Sequence, residues 1–182
     1  MSQDLNIIDT HSHFNLHQFE HDLNESISRM EYEKVGTICV GIDLPTSDHA
    51  MRLAQSHKSI WTCVGQHPTD WSKDFDENEF RKLLNEPRVV AVGECGLDYY
   101  REKDRAEIEK QKELFLNQIS LAHEFDLPLM LHIRPKEGTM DAYEKALDIL
   151  EDYKVKWPEI RGTAHFFVGT KEIAKRFLDL GF

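Results

Sequence analysis

The sequence has little cysteine and no long apolar run, and both shortages narrow the class of protein. Only three cysteines occur in 182 residues, at spacings that fit neither a zinc finger nor a Cys-x-x-Cys motif. Cys39, Cys63 and Cys95 each lie in or just after an apolar run, so we expect buried, reduced thiols. The longest apolar stretches, such as residues 35–42 and 127–133, are far too short to cross a bilayer and are typical of strands. The sequence therefore predicts a soluble folded domain with no membrane span.

Basic charge is also scarce. The chain has 22 Lys and Arg against 33 Asp and Glu, a formal net charge of −11. It therefore has no overall basic field that would gather nucleic acid by counterion release. Any nucleic acid must be bound locally or through bound metal cations. The N-terminal residues show no positive segment followed by an apolar one, which excludes a recognisable secretory signal and predicts a cytoplasmic protein.

Strand-like and helix-like segments alternate along the whole chain. The predicted strands are residues 5–8, 35–42, 60–64, 89–93, 128–133 and 161–166, and the predicted helices are residues 18–34, 46–57, 77–85, 104–125, 139–153 and 171–180. Because the strands are short continuous apolar runs, the alternation predicts an α/β domain with a parallel sheet covered by helices. No linker-like segment interrupts it, so residues 1–182 are predicted to form a single domain.

Two architectures fit this alternation, an open doubly wound sheet and a TIM (β/α)8-type barrel. A barrel needs eight strand-helix units, typically in about 250 residues. This sequence supplies six units and stops where a seventh strand would begin. The number of units alone favours an open sheet or a truncated barrel, and the motifs must decide.

Metal-ligating residue types fall at the ends of four of the six predicted strands. His11 and His13 follow the first strand at a spacing that points both imidazoles the same way in an extended segment. Glu94 follows the fourth strand, and His132 and His165 end the fifth and sixth. Neighbouring parallel strands would bring all five to the carboxyl edge of the sheet, where both architectures carry their chemistry. Four imidazoles and one carboxylate suit Zn²⁺, Mn²⁺, Fe²⁺ or Co²⁺ better than Ca²⁺, and they suffice for two metals with a bridging carboxylate.

Six sequence blocks, in order and at similar spacing, resemble the signatures of the TatD family of metal-dependent hydrolases. The blocks are DTHSH at residues 9–13, GQHP at 65–68, GECGLDYY at 93–100, QKELF at 111–115, LPLMLHIR at 127–134 and AHF at 164–166. The resemblance covers essentially the whole chain. It implies an amidohydrolase-like TIM barrel, which favours the barrel over the open sheet, in a family that includes metal-dependent deoxyribonucleases.

The resemblance implies a two-metal centre of divalent cations, Mg²⁺, Mn²⁺ or Zn²⁺. His11 and His13 would hold the first metal, Glu94 would bridge, and His132 and His165 would hold the second. The bridging glutamate matters because relatives that hydrolyse amides and lactones frequently use a carboxylated lysine at this position.

The resemblance also implies residues near the substrate. His67, in the turn after the third strand, and Arg134, two residues beyond His132, would lie near the substrate phosphate. With Glu94, they are the predicted catalytic residues. Asp98 and Tyr99 either line the mouth of the site or are an ordinary loop residue and a half-buried tyrosine.

The end of the sequence departs from the family pattern. The pattern includes a further aspartate at the end of a late strand, a metal ligand and general base, and the sequence stops before a counterpart. Two strands would be missing, so we expect a fragment or a naturally short member. A six-unit barrel exposes two sheet edges. We therefore expect the chain to be poorly stable alone, to self-associate through these edges, or to be completed by further sequence.

Three functions are consistent with these residues. The first is a phosphodiesterase, a deoxyribonuclease of exonuclease type, in which two cations activate water and receive the phosphate. The second is an ester hydrolase of the D-aminoacyl-tRNA deacylase type, described for some TatD-like proteins. The third is a catalytically inactive metal-binding fragment. A nucleotide-binding domain has little support, since no GxGxxG or P-loop pattern follows any strand.

Overall fold

The structure, a computed structural model, describes residues 4–101 and 104–182 and shows six strands that alternate with helices. The strands are β1 (Ile7–Ser12), β2 (Val35–Val40), β3 (Ile60–Val64), β4 (Val89–Asp98), β5 (Leu129–Arg134) and β6 (Gly162–Ala164). The α-helices are α1 (Leu23–Tyr32), α2 (Leu44–Ser56), α3 (Glu77–Leu84), α4 (Arg105–Glu124), α5 (Asp141–Lys156) and α6 (Lys171–Leu180). No helix in the described part of the chain is both long and apolar enough to span a membrane.

The chain divides into two compact units, of which the first comprises Met1–Gly65 and Asp76–Val90. In this unit β2 lies between β1 and β3, and both pairs are parallel. Helix α2 begins with a capping box in which the Asp43 carboxylate accepts the Thr46 backbone N–H while the Thr46 hydroxyl accepts the Asp43 N–H. Ile27, Cys39 and Ile60 are buried in the core beneath the strands. This core packs α1 and α2 against β2 and β3, and the strand β1, which carries the first candidate ligands, is held by its parallel pairing with β2.

The second unit comprises Gln66–Phe75 and Ala91–Phe182. Here β5 lies between β4 and β6, and both pairs are parallel, with Gly96 of β4 opposite His132 and with Leu131 opposite Ala164. Parallel pairing in this register brings the carboxyl ends of all three strands together. It therefore places Glu94, His132 and the residue after β6 at one edge of the unit.

The alternation of strands and helices was predicted from the sequence, and the three cysteines are buried thiols, as expected. Burial raises the pKa of the Cys39 thiol to about 11. A buried thiol with a raised pKa carries little thiolate, so this cysteine is structural.

Several predicted boundaries were wrong. Strand β1 runs through His11 to Ser12, and β4 continues past Gly93 to Asp98, because backbone pairing with the neighbouring strand extends beyond the apolar run. Strand β6 is shorter than predicted and ends at Ala164, before His165. The helix predicted for residues 18–34 is a short 3-10 helix followed by α1, which begins only at Leu23. The candidate ligands His11 and Glu94 therefore lie within strands, at the register shifts between Asp9 and Ser12 and between Val92 and Cys95.

Candidate metal centre

The centre of the site in the second unit is the carboxylate of Glu94. One of its oxygens, Oε1, lies 2.7 Å from His165 Nε2, 3.0 Å from His132 Nδ1 and 3.8 Å from His67 Nε2. The Glu94 side chain is only 5% exposed. A buried carboxylate is costly unless it is paired or ligated, and here three imidazoles from three different segments surround one oxygen. The structure thus brings four of the seven predicted site residues together.

Close contact between β4 and β5 makes this arrangement possible. Gly96 has a φ of +137°, and a Cβ at this position would collide with the carbonyl oxygen of His132. Only glycine combines that backbone conformation with such a close approach. The glycine after Glu94 in the GECG block therefore lets the Glu94 strand lie against the residue that carries the His132 imidazole.

His132 lies between two carboxylates. Its Nδ1 donates to Glu94 and its Nε2 donates to Asp98 Oδ2, at 3.0 and 3.1 Å, and Asp98 Oδ2 also accepts from Arg101 at 2.9 Å. Burial opposes a charge on His132, but the bonds to Asp98 and Glu94 outweigh it and raise the pKa of the imidazole. Burial likewise opposes a charge on Asp98, yet His132 and Arg101 lower the pKa of this carboxyl overall. A carboxylate that holds the far nitrogen of a histidine is the usual support of a metal-binding imidazole.

His67 has the opposite electrostatic character. Burial, helped by the nearby charge of His132, lowers the pKa of His67 to about 4. Its Nδ1 accepts the backbone N–H of Thr69 at the start of a short 3-10 helix, Pro68–Asp70. The proton of the neutral ring is then on Nε2, the nitrogen that faces Glu94. His67 is therefore a neutral hydrogen-bond donor beside the carboxylate.

His11 and His13 form a pair in the first unit. Their Nε2 atoms lie 3.2 Å apart, and both side chains are partly buried. His13 Nδ1 donates to the Val40 carbonyl at 3.0 Å, and the buried Asn15 donates to the same oxygen. Because Nδ1 carries the proton, His13 Nε2 has its lone pair directed to the side where His11 lies. Two adjacent imidazole nitrogens, of which that of His13 directs its lone pair to the shared side, suit a divalent cation.

The donor atoms fit a metal. Nitrogen atoms of His165 and His132 lie 2.7 and 3.0 Å from Glu94 Oε1. Donors bound to one Zn²⁺ at ordinary bond lengths are separated by about 3.4 Å in tetrahedral geometry, so these three side chains need only small adjustments. Imidazole and carboxylate donors also match Mn²⁺, Fe²⁺ and Co²⁺. Asp98 Oδ1 is also buried, and it accepts no hydrogen bond from the described residues. It is therefore a further acceptor at this site.

Arg134 lines a cavity next to this cluster. The cavity has a volume of about 340 Å³ and is lined by His132, Ile133, Arg134, His165, Phe166 and Val168. The guanidinium of Arg134 lies over the ring of Tyr100, 3.9 Å from its centroid. The structure thus places the predicted phosphate-binding arginine in one cavity with two predicted metal ligands.

Four buried residues near the site were missed or left open by the sequence. Asp98 is fully buried at the end of β4 and is not a loop residue, and Tyr99 is 5% exposed and not half-buried. The glutamines Gln111 and Gln118 are also buried, in α4. Gln111 lies in the QKELF block, and this position was the only indication in the sequence that it belongs to the site. Gln118 lies outside the six blocks.

Comparison with known proteins shows the family to which the chain belongs. Residues 8–182 match the family described as TatD related DNase. The chain belongs to the TatD family. It is 37% identical over 180 residues to the uncharacterized metal-dependent hydrolase YabD of Bacillus subtilis, covering 97% of this chain and 66% of YabD. It is 34% identical over 168 residues to the 3'-5' ssDNA/RNA exonuclease TatD of Klebsiella pneumoniae, covering 90% of this chain and 60% of that protein.

A solved TatD homologue confirms the predicted fold class. The crystal structure of YJJV from Escherichia coli K12 superposes with a TM-score of 0.82 at 30% identity, covering 96% of this chain and 65% of that chain. The fold is therefore the TIM-barrel type of α/β fold, with six strand-helix units in this TatD chain. The chain spans 60% to 66% of the length of the two curated relatives named above.

Proposed function

We propose that this TatD chain carries the metal centre of a phosphodiesterase that removes nucleotides stepwise from the 3′ end of single-stranded nucleic acid, DNA being the first candidate. The observation that carries the proposal is the Glu94 carboxylate, one oxygen of which contacts His132 and His165 within 3.0 Å and faces His67. Relatives named 3'-5' ssDNA/RNA exonuclease support the same chemistry at about 34% identity.

Five residues would hold two divalent cations, Mg²⁺, Mn²⁺ or Zn²⁺. As the family resemblance implies, His11 and His13 would hold one cation, His132 and His165 would hold the other, and Glu94 would be shared by both. When bound, the cations lower the pKa of a water toward neutrality and stabilise the charge that develops on the phosphate. They also explain how a chain with a net charge of −11 can bind a polyanion.

His67 and Arg134 would act on the phosphate. His67 is neutral at pH 7 because its pKa is about 4, and its Nε2–H can donate to a phosphate oxygen beside Glu94. The guanidinium of Arg134 can present two parallel N–H groups to a phosphate. Its position over Tyr100 restricts the guanidinium before substrate binds, which lowers the entropy lost on binding.

The test is hydrolysis of single-stranded DNA labelled at its 5′ end, with Mg²⁺, Mn²⁺ or Zn²⁺ and with a chelator. We expect a ladder of products shortened from the 3′ end, lost with chelator and in Glu94→Gln. The matched control is Glu109→Gln, which changes an exposed glutamate paired only with Lys112 among the described residues. The same assay with labelled RNA distinguishes the two substrates. Hydrolysis of an aminoacyl-tRNA ester without strand cleavage would support the deacylase function instead, and metal binding without either reaction would overturn the proposal.

We also propose that the chain self-associates. Ile7 and Ile8 of β1, the first strand in the sheet order, are 65% and 49% exposed. Exposed apolar side chains on an outer strand favour edge-to-edge pairing. Sedimentation velocity of wild type and of Ile7→Lys checks this, and a concentration-independent monomer in the wild type would contradict it.

A further inference from the structure

Helix α4 carries two glutamines that its apolar face would not be expected to contain. Gln111 is 0% and Gln118 is 1% exposed, and both lie among buried residues of the helix such as Phe115 and Ile119. They are seven residues apart, so they lie on one face, separated by about 10.5 Å along the helix axis. A buried side-chain amide is retained only where it forms hydrogen bonds. Each glutamine has such partners, and they are of the same kind.

Gln111 is bonded at two points to the backbone of Asp98. Its Oε1 accepts the Asp98 N–H at 2.8 Å, and its Nε2 donates to the Asp98 carbonyl at 3.1 Å. The residue after the end of β4, Tyr99, donates its N–H to the carbonyl of Arg134 in β5. Alternate residues of a strand direct their backbone groups to opposite sides, so Asp98 faces away from β5. Gln111 therefore bonds the N–H and carbonyl of Asp98, which β5 cannot reach. The carboxylate of the same residue, Asp98, accepts from His132 Nε2.

Gln118 makes the same pair of bonds with Gln66, the residue before His67. Its Oε1 accepts the Gln66 N–H and its Nε2 donates to the Gln66 carbonyl, both at 2.8 Å. The side chain of Gln66 in turn donates to the carbonyls of Asp70 and Lys73, at 3.0 and 3.2 Å. The backbone beside His67 is therefore fixed by Gln118 through the main chain of Gln66, and the turn after His67 is fixed by the Gln66 side chain.

The side-chain type explains why glutamine stands at both positions. A primary amide is a donor and an acceptor at once, which matches the N–H and C=O of a single residue. Methionine has a similar length but would leave both backbone groups without partners, and an ionised glutamate could not donate to the carbonyl. Two such residues on one rigid helix fix two backbone points at a set separation.

We propose that Gln111 and Gln118 are positioning residues of the metal centre, which hold Asp98 and thereby His132 on one side and His67 on the other. The inference rests on the proposed function, because the geometry that they maintain is that of the proposed ligands and of the phosphate donor. Gln111 acts through Asp98 on a metal ligand, so its loss affects metal affinity. Gln118 acts on His67, which the proposal assigns to the phosphate, so its loss affects turnover.

The test uses the whole chain and measures Mn²⁺ binding by equilibrium dialysis with electron paramagnetic resonance, besides hydrolysis of labelled DNA. We expect Gln111→Met to weaken Mn²⁺ binding about tenfold or more, the scale of other supports of metal ligands. Gln118→Met should keep the Mn²⁺ affinity within about twofold of the wild-type value. It should lower kcat about tenfold, a modest loss because Gln118 only supports the residue that donates the proton. Gln111→Glu, which keeps one of the two bonds, should lie between Gln111→Met and wild type.

Two controls separate positioning from general destabilisation. Leu121→Ala removes a buried apolar side chain of the same helix, and it should lower the melting temperature without changing Mn²⁺ affinity. A double-mutant cycle gives the second control, since Gln111→Met should have little further effect on Mn²⁺ affinity once Asp98→Ala is present. Additive losses, or the same loss of affinity in Leu121→Ala, would overturn the positioning role.

Amide hydrogen exchange on the wild type covers the case in which a variant does not fold. The Gln66 N–H lies in a turn outside the strands, and the proposal requires it to exchange slowly because Gln118 holds it. Rapid exchange of the Gln66 and Asp98 amides would overturn the inference. If wild type binds Mn²⁺ but cleaves nothing, the proposed function fails while the affinity cycle still tests Gln111. If wild type binds no Mn²⁺, both proposals fail.

Discussion

The two histidine groups of this TatD chain are oriented by different means. In the first unit, His11 and His13 share one strand, and the ring of His13 is fixed by the backbone carbonyl of Val40. In the second unit, Glu94, His132 and His165 come from three segments, and His132 is fixed by the side chain of Asp98. A pair on one strand obtains its geometry from strand periodicity. A group assembled from separate strands needs additional buried side chains to align it.

The electrostatics of the two groups differ as well. The second unit places the carboxylates of Glu94 and Asp98 against His132, with Arg101 behind Asp98. Within this network the pKa of His132 is raised while that of His67, which burial dominates, falls to about 4. In the first unit, His13 Nδ1 donates to the backbone carbonyl of Val40, and His13 Nε2 lies 3.2 Å from His11 Nε2. Because His132 lies between two buried carboxylates, substitutions in the second unit should have the larger effects.

The largest effect is expected for Glu94→Gln. The change keeps the shape of the side chain but replaces the carboxylate, one oxygen of which faces three imidazoles, with a neutral amide. We expect Mn²⁺ affinity to fall by more than about 100-fold, since this exceeds the effect of losing an outer support. Equilibrium dialysis measures the affinity, with Glu109→Gln as the exposed control. Retention of two cations per chain in Glu94→Gln would refute the bridging role.

A smaller, local effect is expected for the pair in the first unit. Replacing both His11 and His13 by alanine should remove about one of two bound cations per chain and leave the affinity of the other cation nearly unchanged, because the second group has its own ligands and supports. Elemental analysis of the purified chain gives the stoichiometry, and His21→Ala, an exposed histidine, is the control. Loss of both cations would show that the two groups bind metal only together. The two groups would then not be independent metal sites.

The sequence predicted the parts that depend on local pattern. Alternating apolar runs and amphipathic segments gave six strand-helix units, and the position of Glu94, His132 and His165 at strand ends indicated that they would meet. His11 and His13 could be paired from their spacing alone. These predictions succeeded because strand direction and periodicity decide where such side chains lie.

The remaining features depend on contacts between distant residues. Polar residues such as His11 and Asp98 are in strands only because a neighbouring strand pairs with them, which no apolar pattern reveals. The burial of Gln118 depends on Gln66, 52 residues earlier in the chain. A glutamine in an amphipathic helix would ordinarily be assigned to the solvent face. The supports of the site are therefore harder to predict than its ligands.

The smallest effect concerns His67 and the stability of the metal-free chain. The folded pKa of about 4 lies below the ordinary value of 6.5, so the stabilisation by neutral His67 is present above pH 6.5 and is lost as the pH falls from 6.5 toward 4. His67→Asn, whose side-chain oxygen can still accept the Thr69 N–H, lacks this titration. Between pH 7 and pH 5 we expect the free energy of unfolding to fall by about 1 to 2 kcal/mol more in wild type than in His67→Asn. Urea unfolding with chelator at each pH measures the difference, in which titrations common to both chains cancel. Parallel pH profiles would show that His67 is protonated as readily in the folded chain as in the unfolded one, and the assignment of His67 as a neutral donor beside Glu94 would then be wrong.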